Sequence, residues 1–336
     1  MPYRPETSEF VAAFASTAEP QEKPAGKPAP FRRARSWSAA LLFLGGVGLS
    51  SAELRAQTIV APSARTLFNR ATLVRLSVEV RHSSLRTDGR STAVTQYVPV
   101  LAVVYGFRPN WTIIVAQPYA VVDVTNRMGD ETRRESLNGL ADTRVFIQYD
   151  GLYRRNTPGG LTRLSAVFGV QVPTGADRFS TGAVAYTGGM IFQKAVRLKH
   201  VFTGDFEYTR ATENRRGLSM GDRIRFDAAL SRFVISQDKA PPGASWPRKA
   251  FDRIFRYGAY FVLELNGTWQ ARARTRGTPI PDSGGTMLSV SPGIQWFLSN
   301  AFLVEISAPI PVVKALSGKQ PKPNSTFLLG FRILFF

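Results

Sequence analysis

Beyond about residue 70 the chain alternates apolar and polar positions with a period of two. Val74, Leu76, Val78 and Val80 interleave with Arg75, Ser77, Glu79 and Arg81, so that aliphatic groups fall on one face of a strand and ionisable groups on the other. A helix would mix the two sets. The pattern returns in Val145, Ile147 and Tyr149 against Arg144, Gln148 and Asp150, and in Leu164, Ala166, Phe168 and Val170 against Arg163, Ser165 and Gln171. It appears again in Ile224, Phe226, Ala228 and Leu230 against Arg225, Asp227 and Ser231, in Phe261, Leu263 and Leu265 against Glu264 and Asn266, and in Phe302, Val304 and Ile306 against Glu305. Each segment approaches the roughly 9 to 11 residues that cross a bilayer as a tilted strand. An antiparallel soluble sandwich would alternate as well, so the period does not by itself select a membrane.

The connections discriminate better. About twelve strands are predicted, with short turns on one side and longer loops on the other, as outer-membrane barrels have. Counted back from the carboxyl end, the short turns are Arg108 to Asn110, Arg154 to Gly160, Val196 to Lys199 and Leu298 to Asn300, on the periplasmic side. The external loops expected are His82 to Ser91, Thr125 to Asn138, Thr174 to Gly182, Thr209 to Met220, Ala271 to Gly285 and Val313 to Ser325. Gln237 to Arg253, with Pro241, Pro242 and Pro247, breaks the rule by being long on the periplasmic side, as an insertion or a miscounted strand would be. Aromatic residues at strand ends, Tyr105, Phe107, Trp111, Trp296 and Phe302, fit an interfacial girdle.

The amino-terminal region has a different grammar. Arg32, Arg33 and Arg35 precede an apolar run from Ala39 to Leu49, with small residues around Ala52 and Ala56. That is the layout of a secretory signal peptide, and the run is too short for the about 20 residues of a spanning helix. Four regions are expected: a disordered leader or mis-assigned start over 1–30, a signal peptide over 31–56, a periplasmic segment over 57–70, and an all-β domain over 71–336. The last is read as a transmembrane antiparallel up-and-down β-barrel of the bacterial outer membrane.

The stretches YGFRPNWTIIVAQPYAVV from Tyr105, GLADTRVFIQYD from Gly139, FGVQVPTG from Phe168, LSVSPGIQWFLSNAFLVEISAPIPV from Leu288 and FLLGFRILFF from Phe327 follow one another along the chain. Together they resemble the meta-pathway of phenol degradation family, outer-membrane barrels often labelled simply as transporters. Pro118, Pro173 and Pro309 stand at strand ends, where a residue that cannot donate to the ladder is tolerated. The resemblance implies passage of small molecules, including aromatic or other hydrophobic compounds. The final segment is similar to the aromatic-ended strand that the barrel-assembly machinery recognises. Its carriers are Phe331, Ile333, Phe335 and Phe336, with Phe335 in the lipid-facing series and Phe336 one residue past the usual ending.

Composition narrows the chemistry. The chain has no cysteine and only two histidines, His82 and His200, placed near opposite ends of the predicted barrel, which argues against an enzyme, a metal site or a cofactor. Asp142, in the GLADTR stretch, is read as a backbone-binding aspartate in preference to an acid/base group. A net charge of +19 would suit nucleic acid, but the arginines are scattered through strands and form no patch. With lipid outside, the polar faces point inward, and the pore-lining candidates are Arg75, Glu79, Arg81, Arg144, Asp150, Arg163, Asp205, Glu207, Arg225, Asp227, Glu264, Glu305 and Arg332. The partners expected are outer-membrane lipid, the assembly machinery and a small-molecule solute. The function expected is a passive channel; the alternative is a closed structural or adhesive barrel whose external loops bind a partner.

Overall fold

The computed structural model describes residues 63–87, 90–158, 160–176, 178–197, 199–235 and 245–336. The expected leader and signal peptide lie outside these residues.

Twelve antiparallel strands, each hydrogen-bonded to the next in sequence, form a closed ring. They are β1 (Thr72–Thr87), β2 (Arg90–Arg108), β3 (Trp111–Met128), β4 in two segments (Glu131–Leu140 and Thr143–Thr157), β5 (Gly160–Val172) and β6 (Ala185–Val196). They continue with β7 (His200–Ala211), β8 (Arg223–Val234), β9 (Ala259–Gln270), β10 (Gly285–Phe297), β11 in two segments (Phe302–Ser307 and Ile310–Leu316) and β12 (Lys322–Phe335). Pairing of β1 with β12, from Thr72 opposite Phe335 to Ser84 opposite Lys322, closes the barrel. A bulge in β4 between Tyr149 and Tyr153 shifts its register against β5.

Burial runs opposite to that of a soluble protein. Phe168 is 63% exposed, Met190 57% and Leu230 55%, while Glu264, Glu305, Ser291 and Gln193 on the other strand faces are 1% exposed or less. A sandwich would bury the apolar set and hydrate the polar one. Only an apolar solvent outside the ring makes this arrangement favourable, so the chain is an outer-membrane barrel. Among the described residues no helix is long and apolar enough to cross a membrane; strands do the crossing here.

The loop polarity follows the expected plan, but several boundaries move. β1 and β2 pair as far as Thr87 opposite Arg90, and β3 and β4 as far as Met128 opposite Glu131, so most of His82 to Ser91 and Thr125 to Asn138 is strand, not loop. Likewise β7 runs to Ala211, β11 to Leu316, and β12 starts at Lys322. At about 3.3 Å per residue, the 19 residues of β2 span more than an apolar band of roughly 25 Å even when tilted. Outside the lipid both faces of a hairpin can be polar, and the alternation that signals a strand disappears.

The long connection on the short-turn side is an insertion, and the strand count stands. It contains a helix, α1 (Trp246–Ile254), with Pro247 in its first turn, where the missing N–H costs nothing. At the opposite end a three-stranded miniature sheet, built from Leu218–Ser219, Arg274–Thr275 and Thr278–Pro279, joins two loops.

Candidate functional site

Strand parity places the pore-lining candidates on the inward face, where most of them form separate ion-paired groups. Glu305 accepts from both Arg75, at 2.7 Å, and Arg332, at 2.6 Å. The Nε2 of Gln295 donates at 3.3 Å to Oε2, the oxygen that Arg332 also binds. On the opposite wall Arg225 approaches Glu207 at 2.9 Å, Asp227 at 3.3 Å and Asp205 at 3.6 Å. Asn266 donates to Asp227 at 3.0 Å and itself accepts from the Ser291 hydroxyl. Glu79 pairs with Arg81 at 2.6 Å in a more open position. Arg144 and Glu264 face the same interior, Glu264 at 1% exposure.

A second wall is apolar. The register of β1, β2 and β3 puts Val98, Val100, Ala102 and Val104 on the side of Glu79, Ser77, Arg75 and Leu73, and pairs Ala102 with Ala116 and Val104 with Ile114. The lumen thus offers a solute charged groups on some strands and aliphatic groups on others.

The third element was not legible as a site. The stretch expected as a periplasmic lead-in is described from Ser63, and from there it runs inside the end of the barrel where β1 begins and β12 ends. Its backbone is held by side chains of three strands. Gln148 donates to the Ser63 carbonyl at 2.7 Å, and the Ser165 hydroxyl donates to the Ala64 carbonyl. The Thr66 N–H and hydroxyl donate to Asp150 Oδ2 at 3.3 and 3.0 Å, and the Leu67 N–H donates to the Thr112 hydroxyl at 3.0 Å. Asp150 is itself fixed by Arg163 at 2.8 Å and by Arg154. Ala64, wholly buried, packs with Val167, Ile191 and Phe146. A β-bonded segment would show a periodicity; this one is held by barrel side chains and shows none.

At the other mouth the two resembling stretches GLADTR and FGVQVPTG meet. Asp142 lies in the break between the segments of β4 and accepts from the Gly175 N–H at 3.1 Å, from the Thr181 N–H and hydroxyl at 2.9 Å each, and from Gln171 at 3.1 Å. Burial works against its charge, yet the hydrogen bonds from Ser180, Thr181 and Gly175 outweigh it and hold the carboxyl below the ordinary aspartate range. It therefore pins the β5–β6 loop over the mouth. His82 and His200 stay apart: His82 meets Thr95 near the loop end of β1, and His200 opens β7 at the terminus end. Among the described residues no group of three or more His, Cys, Asp or Glu is placed to hold a metal ion.

The wall between β11 and β12 is laced over only part of its length. β11 pairs with β12 only from Phe302 opposite Ile333 to Ser307 opposite Leu328. Its outer segment, Ile310–Leu316, pairs with β10 alone, and among the described residues no ladder joins it to β12. Pro309 and Pro311 on one side and Pro321 and Pro323 on the other lack the N–H that such a ladder needs. Ala315 is in register with Thr286 and, through it, with the outward Trp269, and Ile310 of the same segment is an exposed apolar residue in register with the outward Val290.

A family model described as "Putative MetA-pathway of phenol degradation" matches residues 87–245, from β1–β2 to the start of the insertion. Among solved structures, the chain is similar to the COG4313 outer membrane channel from Pseudomonas putida F1. The TM-score is 0.59 at 15% identity, covering 83% of this chain and 100% of that one. It also has a weaker likeness to the transport unit of the autotransporter AIDA-I from Escherichia coli, with TM-score 0.44, 10% identity and coverage of 85% and 95%. No curated protein matches the sequence.

Proposed function

Starting from a closed twelve-stranded outer-membrane barrel whose central strands carry the phenol-degradation family pattern, we propose that the protein is a passive channel for small molecules of hydrophobic or aromatic character. The observation that carries the substrate class is the proline-flanked seam between β11 and β12. A hydrophilic route straight through the barrel meets the Ser63 to Leu67 segment and the ion-paired groups around Glu305 and Asp150. An apolar solute entering at the outer mouth has a second exit, sideways through the seam into the outer half of the bilayer, where its transfer is favourable. The apolar wall of β2 and β3 provides contact on the way in. The paired charges hold the barrel's shape and exclude ions that would have to displace them.

The test uses the full mature chain in liposomes. Transfer of an aromatic probe such as indole or a naphthol is expected to exceed that of a sugar or an amino acid of similar size, with little ion conductance. A variant lacking residues 57–68 is expected to conduct ions more freely. The absence of transfer and conductance in both proteins would instead support the closed structural barrel.

A further inference from the structure

The insertion between β8 and β9 has features unrelated to passage through the barrel. On a helical projection of α1, Trp246, Ala250, Ile254 and Phe251 fall on one half, and Arg248, Asp252 and Lys249 on the other. The apolar half is uncovered: Trp246 is 80% exposed, Ile254 44% and Phe251 38%. A tryptophan so exposed to water would be unfavourable on a rigid helix, and this one is not alone.

The helix is tied to the outside of the barrel, not to its lumen. The outward Trp296 donates its indole N–H to the Ile254 carbonyl at 2.6 Å. The Phe255 ring lies 6.3 Å from that of Phe261, which is 47% exposed in the lipid-facing series of β9, and Phe251 packs on Phe255 at 4.7 Å. The apolar half of α1 is therefore continuous with the barrel's lipid-facing belt at the rim where β1 begins and β12 ends. Its charged half, with Arg248, Lys249 and the adjacent Arg256, is predominantly basic; Asp252 is engaged by Arg248 at 3.6 Å.

We propose that α1 is an interfacial lipid-binding helix. It lies in the plane of the periplasmic leaflet with Trp246, Phe251 and Ile254 in the acyl region, and Arg248, Lys249 and Arg256 engage anionic phospholipid headgroups. The occupant follows from continuity with the lipid belt and from charge: an amphipathic helix with a basic polar face and Trp and Phe on the other takes this position. A protein partner would have to displace lipid from the same rim. The helix adds a basic anchor to one side of the barrel and fixes its depth and rotation in the leaflet.

The chain has no native cysteine, so single labels report cleanly. Ile254→Cys, Trp246→Cys and Lys249→Cys, each carrying an environment-sensitive fluorophore, are refolded into vesicles of phosphatidylethanolamine with phosphatidylglycerol. Refolding is checked by heat-modifiable migration, with Phe251→Cys as the substitute for any variant that fails. Lipids brominated on the acyl chain are expected to quench positions 246 and 254 severalfold more than 249, and iodide on both sides to quench 249 most. Adding Arg248→Glu and Lys249→Glu to the Ile254→Cys protein is expected to reduce acyl quenching in these vesicles but not in phosphatidylcholine alone. Equal iodide access at all three positions would overturn the proposal. So would a helix that stays in water in vesicles yet is shielded in intact cells, which would assign the face to a protein. Insensitivity to charge reversal would overturn the headgroup role.

Discussion

Arg332 and Glu305 meet at 2.6 Å inside the barrel, with side chains 3% and 0% exposed. Arg75 reaches the other oxygen of the same carboxylate, so one anion bridges two guanidinium groups from β1 and β12, the strands that close the ring. Removing Glu305 leaves two cations facing each other in a poorly hydrated space. Glu305→Leu is expected to destabilise the folded barrel by about 3–5 kcal/mol, as breaking a buried pair does. Glu79→Ala, which breaks an open pair with Arg81, should cost less than about 1 kcal/mol. Urea titration of the heat-modifiable band compares them, and equal losses would mean that the closing carboxylate has no special weight.

The lipid face has its own scale. Leu329 on β12 pairs with Ile306 on β11 and Val78 on β1, all pointing outward. Leu329→Arg is expected to cost about 2–4 kcal/mol near the mid-bilayer, and Val304→Arg, nearer the girdle at Phe302, the lower end of that range. Inward Gln295 would be neutral if the lumen were simply water. It donates to Glu305 and is 2% exposed, so Gln295→Ala should cost about 1 kcal/mol, less than either arginine but more than a hydrated site. Equal losses for Gln295→Ala and Leu329→Arg in urea would contradict the assigned parity.

Which parts the sequence made legible follows from what each segment packs against. Val74 to Arg81 and Phe327 to Phe335 face lipid on one side and lumen on the other, so their alternation gave strand, parity and barrel together. Glu131 to Ser136 pairs with β3 beyond the lipid, is polar on both faces and read as a loop. Gln237 to Arg253 read as a long connection with three prolines and no element, yet Pro247 at the start of α1 favours the helix, and the apolar positions 246, 250 and 254 were the available signal. Ser63 to Thr66 had no signal of any period, because partners from β4 and β5 hold its backbone. Phe336, one residue beyond the usual ending, stacks on Phe68 at 5.5 Å, a contact invisible without that segment's path.

Asp142 sets a pH dependence at the outer mouth. Its folded-state pKa is depressed, so the stabilisation it contributes is fully present above the unfolded value of about 3.9 and is lost as pH falls through the folded value. Relative to their intrinsic exchange rates, the Gly175 and Thr181 amides should thus stay protected at neutral and mildly acidic pH, and lose protection below about pH 3.9. Asp142→Ala should make those amides exchange quickly at neutral pH while leaving the β7–β8 ladder protected. If the amides open near pH 6, well above the range of a depressed carboxyl, this aspartate does not control the loop.

The path of the amino-terminal segment depends on a missing side chain. A Cβ at Gly106 would lie 2.2 Å from the Phe68 carbonyl oxygen and 3.0 Å from that of Leu67, both backbone atoms with no rotamer to yield. Gly106→Ala is therefore expected to push residues 63–68 off the rim of β2 and weaken the bonds to Thr112 and Asp150, while the lower ladder of β2 and β3 survives. Faster exchange at the Thr66 and Leu67 amides and a higher ion conductance should appear together. Gly188→Ala, where nothing lies within 4 Å of the added carbon, serves as the matched control and should change neither. Freed Thr66 and Leu67 amides with unaltered conductance would show that this segment does not obstruct the lumen, and the hydrophilic barrier would then rest on the ion pairs of Glu305 and Asp150 alone.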